Sequence, residues 1–393
     1  MTKVLALNAG SSSLKMQLME MPAEKLLCKG QVERIGFNDA IVTVKSADKK
    51  IKKIMAIKDH TKAIDILLKA LVELAVITDY AEIKGAGHRI VQGGTYFNKS
   101  VVIDANVLKK IESLGELAPL HNPVAVIVIK ALNAILPDII SVGVFDTAFH
   151  QSLAEVAYLY SIPLELSQKY AIRKYGAHGT SHDYVSHRAA EMLDKQYEDL
   201  KIITLHLGAG ASMTAIKNGK SFDTSMGFTP IAGLTMGTRA GDIDISIITY
   251  LAEKLKISEK EVFEILNKKS GLLGLSGISS DSREIEDAMA TDDRAKLAMD
   301  IFVDRIIGYI GSYYAKMGGV DVLVFTAGIG ENSAIVRQMI IDRLSFLGIK
   351  LAPELNQVRG VEQVISTDDS TATVLLIPTN EELMIARDTF KII

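Results

Sequence analysis

The sequence predicts an α/β protein made of two related halves, and three observations carry that reading. An apolar strand at 4–7 runs into Gly10-Ser11-Ser12-Ser13, and alternation resumes at Leu14-Lys15-Met16-Gln17-Leu18. This is the pattern of a β-hairpin with a small-residue turn. A second stretch in the later half of the chain repeats it, with strand 202–207, turn Gly208-Ala209-Gly210 and strand 211–216. The length, 393 residues, is more than one ordinary core accommodates, so two domains are expected. Small side chains let backbone N–H groups and hydroxyls approach an anion, and Lys15 adds a cation beside the first turn. Two such hairpins suggest two half-molecules that face one phosphate chain.

Composition narrows the partners. A formal charge of −3 argues against nucleic acid or an anionic membrane as the main partner, so any anion site must come from local placement. Cys28 is the only cysteine, which excludes an intrachain disulfide and a thiolate metal cage and suits a reducing compartment. The N-terminal apolar run ends at Asn8, too early for a signal peptide. The most apolar region, 123–145, is interrupted by Lys130, Asn133, Pro137 and Asp138 and cannot span a bilayer. A soluble cytoplasmic protein is expected.

After the first hairpin, residues 30–45 read as two strands about a Phe37-Asn38-Asp39 turn. The basic run Lys49-Lys50-Ile51-Lys52-Lys53 reads as a solvated strand or hairpin tip rather than a targeting signal. Residues 60–76 carry a helical apolar stripe, with Asp59 or Thr61 as the N-cap. Strand 83–91 carries His88-Arg89 before Gln92-Gly93-Gly94. Arg89 is either a core-edge guanidinium paired with a carboxylate or a fork for a substrate anion, and the adjacent glycines favour the second. Pro123 is placed to begin a helix. Strand 139–145 ends in Asp146, at the end where α/β proteins place their sites, although a helix-capping role stays open.

In the later half, the polar turn 175–182 contains His178 and His182 and leads into a helix over 184–193. Their spacing suits two zinc ligands, but Gly179 lies between them and no third ligand is near, so a phosphate-contacting or structural pair fits better. Gly219-Lys220-Ser221 resembles the end of a P-loop, yet position 214 is Thr where that motif needs Gly. Asn218-Gly219 is therefore a hairpin turn. The segment 223–244 is glycine-rich and too long for a simple connection, which marks a site, with Arg239 a positioned cation between Gly237 and Gly241. Helices follow at 245–254 and 259–268, then a Gly/Ser loop at 271–283 and a long helix at 295–316. Strand 320–327 enters a Gly328-Ile329-Gly330 turn before a helix at 334–344, an arrangement that offers N–H groups to a nucleotide. The third glycine of a dinucleotide fingerprint is absent, since position 333 is Ser. The last strand, 373–377, leads to Glu381 and Glu382, either first-turn carboxylates stabilised by the helix dipole or metal ligands.

Taken together, the motifs resemble one family from end to end. They include Asn-Ala-Gly-Ser-Ser-Ser-Leu-Lys at 8–15, Gly-His-Arg at 87–89, Leu-Ala-Pro-Leu-His-Asn-Pro at 117–123 and His-Gly-Thr-Ser-His at 178–182. Met-Gly-Thr-Arg-Ala-Gly-Asp at 236–242, Gly-Ile-Gly-Glu-Asn at 328–332 and Pro-Thr-Asn-Glu-Glu at 378–382 continue the series. The chain resembles the acetate kinase family of short-chain acyl kinases, in the superfamily of acetate and sugar kinases, heat-shock chaperones and actin.

The resemblance implies two duplicated actin-like, ribonuclease H-like α/β domains with mixed sheets flanked by helices, and ATP in the interdomain cleft. The first domain would take 1–150 plus 382–393 and the second 151–381; a homodimer is implied. By motif position Asn8 and Glu381 would hold Mg²⁺, with Mn²⁺ as an alternative, and Lys15 would contact ATP. His206, Leu207, Gly208, Ala209, Gly210, Asp281, Ser282, Arg283, Gly328, Ile329, Gly330, Glu331 and Asn332 would line the ATP/ADP site. Arg89 would bind the carboxylate of acetate or another short-chain acid, with Val91, Leu120 and Pro230 around its methyl group. Asp146, His178 and Arg239 would serve the transferring phosphoryl.

The chemistry agrees with those roles. A carboxylate nucleophile is anionic at neutral pH and needs no general base, whereas its approach to a polyanion must be made tolerable by cations. Asp146 is then expected to orient an arginine or metal-bound water rather than to accept a proton. Direct in-line transfer fits better than a phospho-enzyme. Two positions depart from the family pattern: Ala177 stands where a Phe is usual, which predicts better use of propionate, and Ala209 stands where Asn is usual, which predicts weaker ATP binding. A propionate kinase shares nearly every motif and is the main rival. An ATP-switch protein of the chaperone or actin type is a remote one, since it has no need for Arg89, His178 and Arg239. A sugar kinase would want a polar pocket and a carboxylate base.

Overall fold

A computed structural model describes residues 1–119 and 121–393. Leu120 lies outside the described residues. The chain forms two compact units, Met1–Gln151 with Asn380–Ile393, and Ser152–Thr379.

The first unit is built on one mixed sheet. Its strands are β1 (Thr2–Gly10), β2 (Ser13–Met21), β3 (Lys25–Glu33), β4 (Ala40–Ser46), β5 (Lys50–Met55), β6 (Ile83–Ile90), β7 (Val101–Val102) and β8 (Ile140–Phe145). They lie in the order β5-β4-β3-β2-β1-β6-β8-β7. The opening hairpin forms as the alternation predicts, with Gly10 opposite Ser13 and Asn8 opposite Lys15. β1 then pairs in parallel with β6, and β6 with β8, so the C-terminal ends of three strands point the same way. Side chains alternate across β1. Leu5 and Leu7 enter a core with Ile64, Leu67 and Leu132, while Ala6 joins Val142, Val144 and Ile385 in another.

The helix His60–Glu73 is capped by Asp59, whose carboxylate accepts from the Lys62 N–H at 2.8 Å; Thr61 is not the cap. It and the helix Asn122–Ile135, which has Pro123 in its first turn, cover the Leu5/Leu7 side. The terminal helix Glu381–Ile392 lies against β1 and β6. Gly87 makes this close contact feasible: a methyl group there would clash with Thr389 Oγ1 and Ile385 Cγ2. Glycine spacing in β6 thus sets how deeply the helix sits, and its first turn carries Glu381 and Glu382.

The second unit repeats the plan. Its strands are β9 (Ile202–Leu207), β10 (Ala211–Lys217), β11 (Lys220–Thr224), β12 (Val322–Thr326), β13 (Gln363–Val364) and β14 (Thr373–Leu376), ordered β11-β10-β9-β12-β14-β13. A hairpin, two parallel neighbours and an antiparallel edge strand occur in the same sequence in both sheets, and β4 and β5 are additions of the first. β9 and β12 are buried along their whole length, as expected of central parallel strands covered on both faces. Covering them, the helix Asp293–Met317 buries Ala298, Met299, Phe302, Ile306, Ile310 and Tyr313, a helical stripe in which loss of a residue like Phe302 to Ala costs about 3–5 kcal/mol.

Three local expectations are corrected. The helix expected at 184–193 begins five residues earlier, as Gly179–Met192. The loop expected at 271–283 contains the helix Gly271–Ser276 and the start of Ser282–Ala288. Gly328 and Gly330 lie inside a short helix, Ala327–Asn332, rather than in a turn before one. Among the described residues, no helix is long and apolar enough to cross a membrane.

Candidate active site

In the first unit the strand ends gather a compact polar cluster. Arg89, at the end of β6, donates through Nε to Asp146 Oδ1 at 3.0 Å and through Nη2 to Asp146 Oδ2 at 2.6 Å. Its Nη1 donates to Asn8 Oδ1 at 3.1 Å. Three of the five guanidinium N–H groups are thereby engaged, and two carry no hydrogen bond among the described residues. Asp146 is fully buried just beyond β8. Burial pulls the Arg89 pKa down, but the Asp146 and Glu381 carboxylates outweigh it, and the net direction is up. Burial raises the Glu381 carboxyl, partly opposed by Arg89 and Lys15.

Lys15 is exposed one strand over, opposite Asn8, and lines a concavity of about 330 Å³ with Gln17, Lys29 and Glu382. Asn380 Oδ1 accepts from the Leu383 N–H at 3.1 Å and so fixes the helix that presents Glu381. His88, next to Arg89, is buried with no hydrogen-bond partner at Nε2, and burial lowers its pKa to about 3. It stays neutral at the edge of this charged cluster. Val91 is half-buried just past β6.

The second unit builds a set of donors of its own. His178 occupies the N-cap position of Gly179–Met192 with φ +55°, a left-handed conformation uncommon outside glycine and typical of functional sites. Its ring stacks on His206 with centroids 4.1 Å apart. Nδ1 is hydrogen-bonded to Ser212 Oγ at 2.8 Å, and His182 Nε2 reaches the same oxygen at 2.7 Å. The two histidines thus converge on a serine hydroxyl.

Arg239 donates to the Pro230 carbonyl at 2.7 Å, and it has no ion pair among the described residues. Burial lowers its pKa. Both His178 and Arg239 come to rest over the turn of the second hairpin. A methyl group on Gly210 would lie 3.3 Å from Arg239 Nη2 and 3.4 Å from His178 Nε2. The Arg239 loop is tied to the same turn, since the Gly237 N–H donates to the Ala209 carbonyl at 3.0 Å.

Beside this turn, a concavity of about 550 Å³ is lined by Gly208, Ala209, Asp281, Ser282, Arg283, Gly328, Ile329 and Asn332. Arg283 is folded back on Asp281 (Nε to Oδ1 3.0 Å), which holds the Asp281 carboxyl down at about 2. Other residues grouped with these by motif do structural work nearby. Leu207 points into the core, and Glu331 Oε1 accepts from the N–H groups of Ala327 and Thr379 at 2.8 and 3.1 Å. His206 is held by Ser181 at 2.8 Å. The Gly330 carbonyl is taken by Arg337 at 2.8 Å.

Sequence reasoning missed two arginines here. Arg359 lines the concavity, and Arg337 is fully buried with donors on Gly330, Asn356 and Val358. Neither sits in a glycine-rich motif. Ala177 is buried in the same unit's hydrophobic cluster and Pro230 is half-buried.

Known proteins share this architecture. The Acetokinase family matches residues 3–387. Acetate kinase from Thermoanaerobacterium thermosaccharolyticum is 58% identical over 395 residues, covering 100% of this chain and 99% of its own. The crystal structure of Porphyromonas gingivalis acetate kinase superposes with a TM-score of 0.94 at 46% identity, with 100% of both chains covered. A propionate kinase from Francisella tularensis subsp. tularensis SCHU S4 does so with 0.94 at 43% identity, again over 100% of both chains. With its motifs in order and its whole length aligned, the chain belongs to the acetokinase family.

Proposed function

We propose that the protein catalyses reversible transfer of the ATP γ-phosphoryl group to acetate, giving acetyl phosphate and ADP. The observation that carries this is the meeting of His178 Nε2 and Arg239 Nη2 over Gly210, beside a nucleotide-sized concavity. An imidazole and a guanidinium over a glycine turn are suited to the equatorial oxygens of a transferring phosphoryl group, where such donors contribute most.

Acetate supplies its own negative charge as nucleophile, so no residue has to remove a proton. Arg89 binds and orients the acetate carboxylate through its remaining N–H groups. Asp146 serves by aiming that guanidinium, a role supported by its three short contacts and its complete burial. Val91 and Pro230 keep the motif positions proposed for the methyl side of acetate. Gly208, Ala209, Asp281 to Arg283 and Gly328 to Asn332 hold ATP, with Lys15 as a further phosphate cation.

The residues fit a hard divalent cation. Asn8 and Glu381 offer the oxygen donors that such a cation prefers. Among the described residues no three His, Cys, Asp or Glu side chains form a metal cage. A Mg²⁺ held by Asn8 and Glu381 would complete its shell with water and phosphate, as Mg²⁺ does in kinases, and Mn²⁺ is the alternative. It would supply charge neutralisation across the β- and γ-phosphates.

The chain is further proposed to act in the cytoplasm as a homodimer through its second unit. Val156, Ile162, Leu164, Leu166 and Tyr170 are exposed along one segment there, the sort of apolar surface that marks association. Light scattering of the intact chain would give twice the chain mass, and a monomer at micromolar concentration would refute the dimer.

A second reading, propionate as the preferred acceptor, is favoured by one observation, the small residue Ala177. Trapping acyl phosphate as hydroxamate with formate, acetate, propionate and butyrate separates the two. Acetate giving the highest kcat/KM supports the main proposal, and product with none of these acids would end both.

A further inference from the structure

Behind His178 lies a chain of hydrogen bonds that reaches a residue with no place in the chemistry so far. Ser212 Oγ is 2.8 Å from His178 Nδ1 and 2.7 Å from His182 Nε2, and His182 Nδ1 is 2.7 Å from Thr204 Oγ1. Ser212, His182 and Thr204 are all fully buried. The strand register explains the assembly. On β9 and β10, Thr204 is opposite Thr214 and His206 opposite Ser212, so these polar side chains share one face. The helix Gly179–Met192 packs on β9 and brings His182 to that face one turn beyond His178.

A serine hydroxyl has a single proton, so His178 Nδ1 and His182 Nε2 cannot both accept from Ser212. For His178 to donate to a phosphoryl oxygen while neutral, its proton must be on Nε2 and its Nδ1 must accept from Ser212. The Ser212 oxygen then accepts from His182 Nε2–H, and His182 Nδ1 accepts from the Thr204 hydroxyl. Every member is satisfied in this direction. In the opposite direction the last proton would run from Thr204 to the Thr214 carbonyl at 3.4 Å, a long contact, and an Nε2 lone pair would face the phosphoryl oxygens. We propose that Thr204, His182 and Ser212 form a relay that holds His178 in its Nε2–H tautomer, which makes all three positioning residues for phosphoryl transfer. This rests on the reading of His178 as a phosphoryl contact.

The tautomers can be read directly by ¹⁵N–¹H correlation spectra of the histidine-labelled whole enzyme. Nε2–H signatures for both His178 and His182 are expected, and Nδ1–H at His178 would overturn the relay. Thr204→Val keeps the shape and removes the last donor. It should disturb the His178 signature and lower kcat on the order of 10²-fold, with KM for ATP within about two-fold. Thr204→Ser should restore both. Wild-type kcat and spectra in a folded Thr204→Val would overturn the relay alone. Wild-type kcat in His178→Ala would instead remove the assignment of His178 on which it rests.

Discussion

Asp146 holds Arg89 along one edge of its guanidinium, with Nε 3.0 Å from Oδ1 and Nη2 2.6 Å from Oδ2. A fully buried carboxylate in that geometry is occupied by the arginine and is poorly placed to take a proton from a substrate that has none to give. Asp146→Asn should therefore lower kcat/KM for acetate by about 10²-fold or more through a misaligned Arg89. The shape of the pH–rate profile should not change between wild type and variant. An acid limb present in the wild type and lost in Asp146→Asn would restore the proton-acceptor role.

Gly210 is the point where His178 and Arg239 meet, and a methyl group there would come within 3.3–3.4 Å of both. Gly210→Ala should displace one or both donors and reduce kcat about 10–100-fold, roughly 1.4–2.7 kcal/mol of transition-state stabilisation. Because this crowding falls on side-chain ends, the melting temperature should stay within a few degrees. Normal kcat in this variant would separate the two residues from the transferring group.

Ala177 is only 3% exposed and belongs to the second unit's core cluster. Ala177→Phe should lower the propionate-to-acetate ratio of kcat/KM, since one methylene of pocket space is worth about 1–3 kcal/mol. Its burial adds a second expectation: overpacking should cost about 1–3 kcal/mol of stability. An unchanged ratio, measured on folded protein, would remove Ala177 from acyl selection.

His88 is buried with a pKa lowered to about 3 by desolvation, against 6.5 when exposed. Below pH 6.5 the unfolded chain takes up a proton that the folded chain refuses, so this residue's stabilisation is complete above 6.5 and is lost as pH falls toward 3. Denaturant unfolding of His88→Gln should show a shallower decline of stability from pH 6.5 to 4 than the wild type. Parallel curves would contradict a neutral buried imidazole.

The sequence made both hairpins legible because strand alternation and small-residue turns are local signals, and the Asp59-capped helix was legible for the same reason. The start of Gly179–Met192 was not. Gly179, Thr180 and Ser181 are weak helix formers, and it is packing on β9 and β12 that holds them helical. The same holds for Gly271–Ser276 and Ala327–Asn332, whose glycines read as loops. Arg89, Asp146 and Asn8 were each singled out, through motif resemblance more than spacing, but the hydrogen bond that joins Asn8 to Arg89 was not anticipated. His182 was noticed only as one of a histidine pair, and its links to Ser212 and Thr204, like the contacts of Arg337, gave no signal, because these partners are brought together only by strand register and loop packing.

The central claim is that the cations proposed here, Arg239 among them, let a short carboxylate attack ATP. The most direct measurement is ADP and hydroxamate-trapped acetyl phosphate formed together with and without acetate, for wild type and Arg239→Ala. Equal amounts of the two products, dependent on acetate and reduced about 10²–10³-fold in a stably folded Arg239→Ala, are predicted. ATP hydrolysis indifferent to acetate, or an Arg239→Ala enzyme as active as the wild type, would contradict it.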